Sequence, residues 1–189
     1  MQRSKNLTFT AVTAALIIVL TALAEVIRLP VSIAFGFIPV IIISVFKGPK
    51  FGAITGLIFG LSSFTIALIF SANPLYRTFV NPLVSVIPRI IAGAVPGLVY
   101  GALKKIKHPG KNFMAARFAA GLAGVLTNTV LVLGMLLAFN YGKDLGGFTI
   151  NFAYVAAVIV SVNTVVEILL FPALTAGITY ALDKAMRTD

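Results

Sequence analysis

The sequence has no cysteine and no tryptophan, and a single histidine in 189 residues. Without cysteine there are no disulfides and no thiolate metal sites. His108 has neither a second histidine nor a cysteine near it in sequence, so it reads as a solvated loop residue rather than a metal ligand. Acid is scarce too. Five Asp and Glu stand against fifteen Lys and Arg, a formal net charge of +10. Charged residues of both signs make up 11% of the chain and hydrophobic ones 59%, whereas a soluble domain is about one quarter charged. There is no G-x-x-x-x-G-K-[ST] run, so the chain does not itself bind ATP through a P-loop. Neither G-x-S-x-G nor H-E-x-x-H occurs. These absences predict no cofactor in this chain, no enzyme chemistry and no large soluble domain.

What is present is apolar sequence in long runs. At about 20 residues per crossing of a roughly 30 Å hydrocarbon core, the chain has room for about six spans. The expected fold is an all-α, polytopic membrane protein with six transmembrane helices, forming one domain over residues 1–189. Helices are expected over about 7–26, 33–46, 51–70, 84–103, 113–139 and 150–180. The first follows Arg3 and Lys5 and is too long for a signal-peptide core. The second is short and carries Pro39, which predicts a tilted, kinked or re-entrant helix. The sixth is long enough to bend at Pro172.

The basic residues orient the bundle. Arg3, Lys5, Lys47, Lys50, Lys104, Lys105, Lys107, Lys111, Arg117, Lys184 and Arg187 fall at one set of helix ends, and Arg28, Arg77 and Lys143 at the other. Positive residues favour the cytoplasmic side, so both termini are expected there. The charge excess then reads as topology and anionic-lipid contact, not nucleic-acid binding. Among the acids, Asp183 and Asp189 read as solvated in the cytoplasmic tail.

Small residues recur at helical spacing. Gly52, Gly56 and Gly60 make one row, Gly93, Gly97 and Gly101 another. Such rows let helix backbones approach closely in a bilayer, where dispersion replaces the hydrophobic drive. In the first helix Ala11 and Ala15 form a smaller face, suited to packing inside the fold or to docking another helix.

The most polar stretch is 71–90, SANPLYRTFVNPLVSVIPRI. Two Asn-Pro-Leu triplets, at Asn73 and Asn81, bracket Tyr76 and Arg77, and Pro88-Arg89 carries a guanidinium into the next apolar run. An arginine at a membrane edge has a partner or a task. Arg89 is suited to clamp a carboxylate through two parallel hydrogen bonds, or to pair with Glu25. Asn128 lies mid-helix, and Asn163 and Glu167 are four apart on one helix face. Polar groups at membrane depth face the bundle interior or a wet cavity. A small polar solute bound on the outer face is one reading of this set. Interhelical hydrogen bonds, or a stand-alone proton-coupled carrier using Glu167, are the others.

Several motifs together carry a family resemblance: the Ala11-x-x-x-Ala15 pair, the Gly48-Pro49-Lys50 turn before a Gly-rich helix, and the long loop before Pro88-Arg89-Ile90. The chain resembles the substrate-binding S component of an energy-coupling factor (ECF) vitamin transporter, most like the pantothenate-specific type. The resemblance implies high-affinity uptake of a water-soluble vitamin at the cell membrane. It implies a complex with the transmembrane coupling subunit EcfT, met by Ala11 and Ala15, and with two ATPase subunits that use the ATP. Asn73, Tyr76, Asn81, Arg89, Asn128 and Asn163 are the candidate substrate-binding residues, with Phe37 or Phe79 as an apolar wall. Hydroxymethylpyrimidine and riboflavin are alternative vitamins.

Overall fold

The computed structural model describes residues 2–27, 34–106, 113–145, 147 and 149–186. Arg28, Ile33, Lys107, His108, Lys111, Arg187 and Asp189 lie outside these residues, as do the side chains of Arg3, Lys5 and Glu25. The described chain folds as α1 (Gln2–Ile27), α2 (Phe37–Lys47), α3 (Pro49–Ile69), α4 (Pro74–Phe79), α5 (Pro82–Ser85), α6 (Ile87–Ile106), α7 (Phe113–Asn140), α8 (Phe152–Ile159) and α9 (Val162–Ala185). Four helical stretches are long and apolar enough to cross a membrane: Pro49–Ile69, Pro82–Lys105, Phe113–Asn140 and Val162–Ala185. Two shorter apolar stretches, Ala11–Ala24 within α1 and Phe37–Lys47, stand beside them, the second short as the sequence predicts.

α2 is short because both of its ends are fixed by turns. It begins after a turn at residues 34–36 and stops at Gly48, whose φ of 98° is a left-handed conformation that glycine adopts without penalty. α3 starts at the next residue, with Pro49 in its first turn, where a missing N–H costs nothing. No residue of α2 is exposed. The helix lies among α3, α6, α7 and α9, and Phe37, Val40 and Ile41 join Ile17, Phe59, Ala92, Val125 and Phe171 in the main core.

The glycine rows place α3 against α6. A Cβ at Gly52 would collide with the carbonyl oxygen of Gly93, and one at Gly56 with that of Arg89. A Cβ at Gly60 would lie 2.9 Å from the Cα of Val86. The two helices therefore run antiparallel with backbones in contact. Gly97 belongs to a different junction, against Ser44 and Pro49, and its N–H donates to Ser44 Oγ at 2.9 Å. Gly101 faces open space and does not continue the row.

Two helices predicted as continuous are broken, the 84–103 run at Val86 and the 150–180 run further on. The 150–180 run divides at Val160–Ser161 into α8 and α9. Thr164 Oγ1 donates to Val158 O there at 2.9 Å, the local side-chain competition that unsettles a helix. In the 71–90 stretch the prolines start helices instead of breaking them. Pro74 and Pro82 each open a short helix, and Asn81 caps the second by accepting from the Leu83 N–H at 3.0 Å.

At the basic end of the bundle, with Lys47, Lys104, Lys105 and Lys184, Arg117 is buried and pairs with Asp183. Its guanidinium lies 5.8 Å from the ring centres of both Tyr100 and Tyr180. Asp183 is thus a partner and not the solvated tail residue that the sequence suggests. This cluster ties α6, α7 and α9 together. Asp183→Asn leaves a buried cation without its counter-charge, and partial exposure of Asp183 (37%) moderates the cost. A loss of about 1–3 kcal/mol is expected, read as a lower unfolding temperature of the purified protein.

Candidate functional site

Pro88 and Arg89 form one device. A proline nitrogen cannot donate to the carbonyl four residues back, so Pro88 orphans the carbonyl of Val84. Arg89 Nη1 donates to that oxygen at 2.7 Å. The same break separates α5 from α6 at Val86. The guanidinium is also held over the ring of Phe79, 5.5 Å from its centre. Arg89 is therefore fixed on two sides while being only 8% exposed, yet its Nε has no partner.

A matching orphan sits on α7. Asn128 is 8% exposed and its Oδ1 has no partner. The antiparallel register sets its height. Gly124 lies against Pro96 of α6, and Gly121 against Pro172 of α9. One turn on, Asn128 comes level with Ala92 of α6 and with the stretch around Thr164 and Ile168 of α9. Glu167 belongs to that level. It is buried, and it attracts Arg89 electrostatically although no direct ion pair joins the two. The carboxylate that Arg89 senses is thus on α9; Glu25, its candidate partner from sequence, has its side chain outside the described residues. Buried polar atoms are paired in all but a few cases. A donor and an acceptor left open on neighbouring helices suit a bound polar molecule, and nothing in the arrangement suits a nucleophile or a metal. Among the described residues no cluster of His, Cys, Asp or Glu could hold a metal ion.

The other expected site residues divide. Asn163 is half-buried on the first turn of α9, one turn from Glu167. Asn81 is half-buried, with its side-chain oxygen spent on capping α5. Asn73 is exposed, and its backbone oxygen accepts from the Arg77 N–H at 3.2 Å. Tyr76 is half-buried, its ring 5.7 Å from that of Phe70. Arg77 is exposed, and its Nε donates to the Ser71 carbonyl at 3.4 Å. The structure so brings Arg89 and Asn128 to the interior and leaves Asn73 and Arg77 at the rim. Of the two candidate apolar walls, Phe37 is buried in the core, stacked on Phe59 at 5.7 Å, and Phe79 lies on Arg89. Ala11 and Ala15 are exposed on α1, beside Val12 and Leu16, on the side away from buried Thr13 and Ile17.

Sequence reasoning missed how Glu167 is used. Its Oε1 accepts from the backbone N–H of Ala34 at 2.8 Å, across 133 positions. No local signal marks that contact, because Ala34 contributes only main chain.

The sequence has counterparts among known proteins. The family described as ECF transporter, substrate-specific component, matches residues 5–179. The pantothenic acid transporter PanT of Lactococcus lactis subsp. cremoris (strain MG1363) is similar, with 34% identity over 169 residues, covering 82% of this chain and 80% of the relative. The family match runs from α1 to α9 and takes in Arg89, Asn128 and Glu167. The chain belongs to the substrate-specific components of ECF transporters.

Proposed function

We propose that this chain binds pantothenate as the substrate-specific subunit of an ATP-driven importer in the cell membrane. The observation that carries the reading is the pair of open polar atoms, Arg89 Nε and Asn128 Oδ1, buried on adjacent helices. Pantothenate has one carboxylate, one amide and two hydroxyls around an apolar dimethyl centre. Arg89, tethered through Nη1, presents its Nε edge to the carboxylate in a two-point clamp. Asn128 accepts from a hydroxyl or the amide N–H, and Asn163 adds a further polar group. Phe79 covers the dimethyl centre. Asn73, Tyr76 and Asn81 belong to the rim through which the vitamin enters. The similarity to PanT supports the choice of vitamin.

In this reading residues 1–189 form one membrane domain with about six crossings, α1 and α2 completing the four long spans. The basic end, and with it both termini, faces the cytoplasm, so the site opens outward. Ala11 and Ala15 meet the transmembrane subunit EcfT, where small side chains permit close helix contact. Two ATPase subunits hydrolyse the ATP, and this chain needs no cofactor.

The test is an equilibrium binding titration of the purified chain with pantothenate, its alcohol analogue panthenol, hydroxymethylpyrimidine and riboflavin. Tight binding of pantothenate is expected, with panthenol weaker by about tenfold or more for loss of a charge-assisted contact. Tight binding of another vitamin with none of pantothenate overturns the assignment.

A further inference from the structure

Glu167 has no part in the clamp just described, and its carboxylate is committed elsewhere. The Ala34 N–H that it accepts belongs to a corner. There the Phe37 N–H donates to Ala34 O at 2.8 Å and the Ile38 N–H to Phe35 O at 3.1 Å. Sterics hold the next residue. A Cβ on Gly36 would collide with Thr21 Oγ1 of α1 and lie 3.1 Å from the Phe59 ring of α3. The corner therefore touches α1, α3 and α9 at once, and among the described residues only the α9 contact is a directional bond from a buried side chain.

What the corner controls is α2. That helix begins at Phe37, and its Ile41 lies 3.4 Å from the position of a Cβ on Gly124, one turn before Asn128. A shift of the corner moves α2, and α2 fills the space between the helices that carry Arg89, Asn128 and Glu167. A site whose walls are fixed before binding loses less freedom when the ligand arrives.

We infer that Glu167 is a positioning residue of the binding site: its carboxylate oxygen pins the corner at residues 34–36 and thereby holds α2 against the Arg89–Asn128 face. Glu167 works here as a hydrogen-bond acceptor, neither as a proton carrier nor as a ligand for the vitamin. The inference rests on the pantothenate reading for its binding readout and on the corner alone for its structural one. A glutamine keeps the acceptor oxygen and removes the charge. It also relieves Arg89 of a competing anion, so the clamp for a carboxylate is not weakened. Alanine removes both oxygen and charge and leaves the Ala34 N–H buried without a partner.

The experiment compares wild type, Glu167→Gln and Glu167→Ala in detergent, by pantothenate binding and by hydrogen exchange of ligand-free protein over residues 34–38. Glu167→Gln is expected within about threefold of wild type in affinity and with unchanged exchange, whereas Glu167→Ala binds about tenfold more weakly and exchanges faster at the corner. Ala34→Pro deletes the donor, keeps the carboxylate and is expected to weaken binding alike, which serves if the alanine variant does not fold. Equal loss in the glutamine and alanine variants shows that charge matters and overturns the inference. So does normal affinity in folded Glu167→Ala. If wild type binds no pantothenate, the vitamin reading falls while exchange at the corner still decides the role of Glu167: faster exchange in alanine only supports it, and no difference overturns it.

Discussion

Arg89→Ala is expected to weaken pantothenate binding by about 30-fold or more, from a loss of about 2–5 kcal/mol when one partner of a buried charged contact is removed. Two features set the size. Arg89 is almost wholly buried, so water does not stand in for the lost guanidinium. Its side chain is already fixed by the Val84 carbonyl and the Phe79 ring, so wild type orders little on binding. The variant also frees the Val84 carbonyl, which lowers stability by about 1–3 kcal/mol. Arg89→Lys separates the two effects. It keeps a positive charge and stays folded, but an ammonium lacks the planar fork that meets a carboxylate at two points. Binding to Arg89→Lys is expected to lie between wild type and alanine. Titration beside ligand-free unfolding checks both. Affinity unchanged in folded Arg89→Ala removes the clamp.

Gly93→Leu is expected to abolish folded, monodisperse protein. A Cβ at Gly93 would strike the carbonyl oxygen of Gly52 and lie 3.1 Å from the Cα of Gly56. The opposing atoms are backbone on both sides, so no rotamer change relieves the clash. Opening α3 from α6 instead would disturb Arg89, whose carbonyl faces Gly56. Overpacking a tight core costs about 1–3 kcal/mol when side chains can yield, and more where they cannot. Gly101→Ala, with nothing near its Cβ, is the control. It is expected to be neutral or to gain up to about 1 kcal/mol from better helix propensity. Size-exclusion profile and unfolding temperature read both variants.

The all-helical character was legible in composition because hydrophobicity over full helix lengths needs no tertiary knowledge. The rows Gly52–Gly56–Gly60 and Gly93–Gly97 were legible too, since close helix contact requires small residues at that period. Arg89 and Asn128 could be chosen from sequence because polar groups in apolar runs are costly to place. Other features depended on contacts between distant positions. The capture of Ala34 by Glu167 and the Arg117–Asp183 pair each join groups whose alignment only the folded bundle sets. The breaks at Val86 and Val160 were hidden for a second reason. Apolar β-branched residues on both sides continue the hydrophobic pattern across a point where the hydrogen bonding changes hands.

The shortness of α2 bears on how the chain is made. Eleven residues extend about 16 Å as an α-helix, roughly half of a hydrocarbon core. During synthesis such a segment is too short to be threaded into lipid as a stand-alone span. Only Gly48 separates it from α3, which is long enough. α2 is therefore expected to enter the bilayer as the first limb of a hairpin, after α3 has left the ribosome, and to find its final surroundings once α6, α7 and α9 have been delivered.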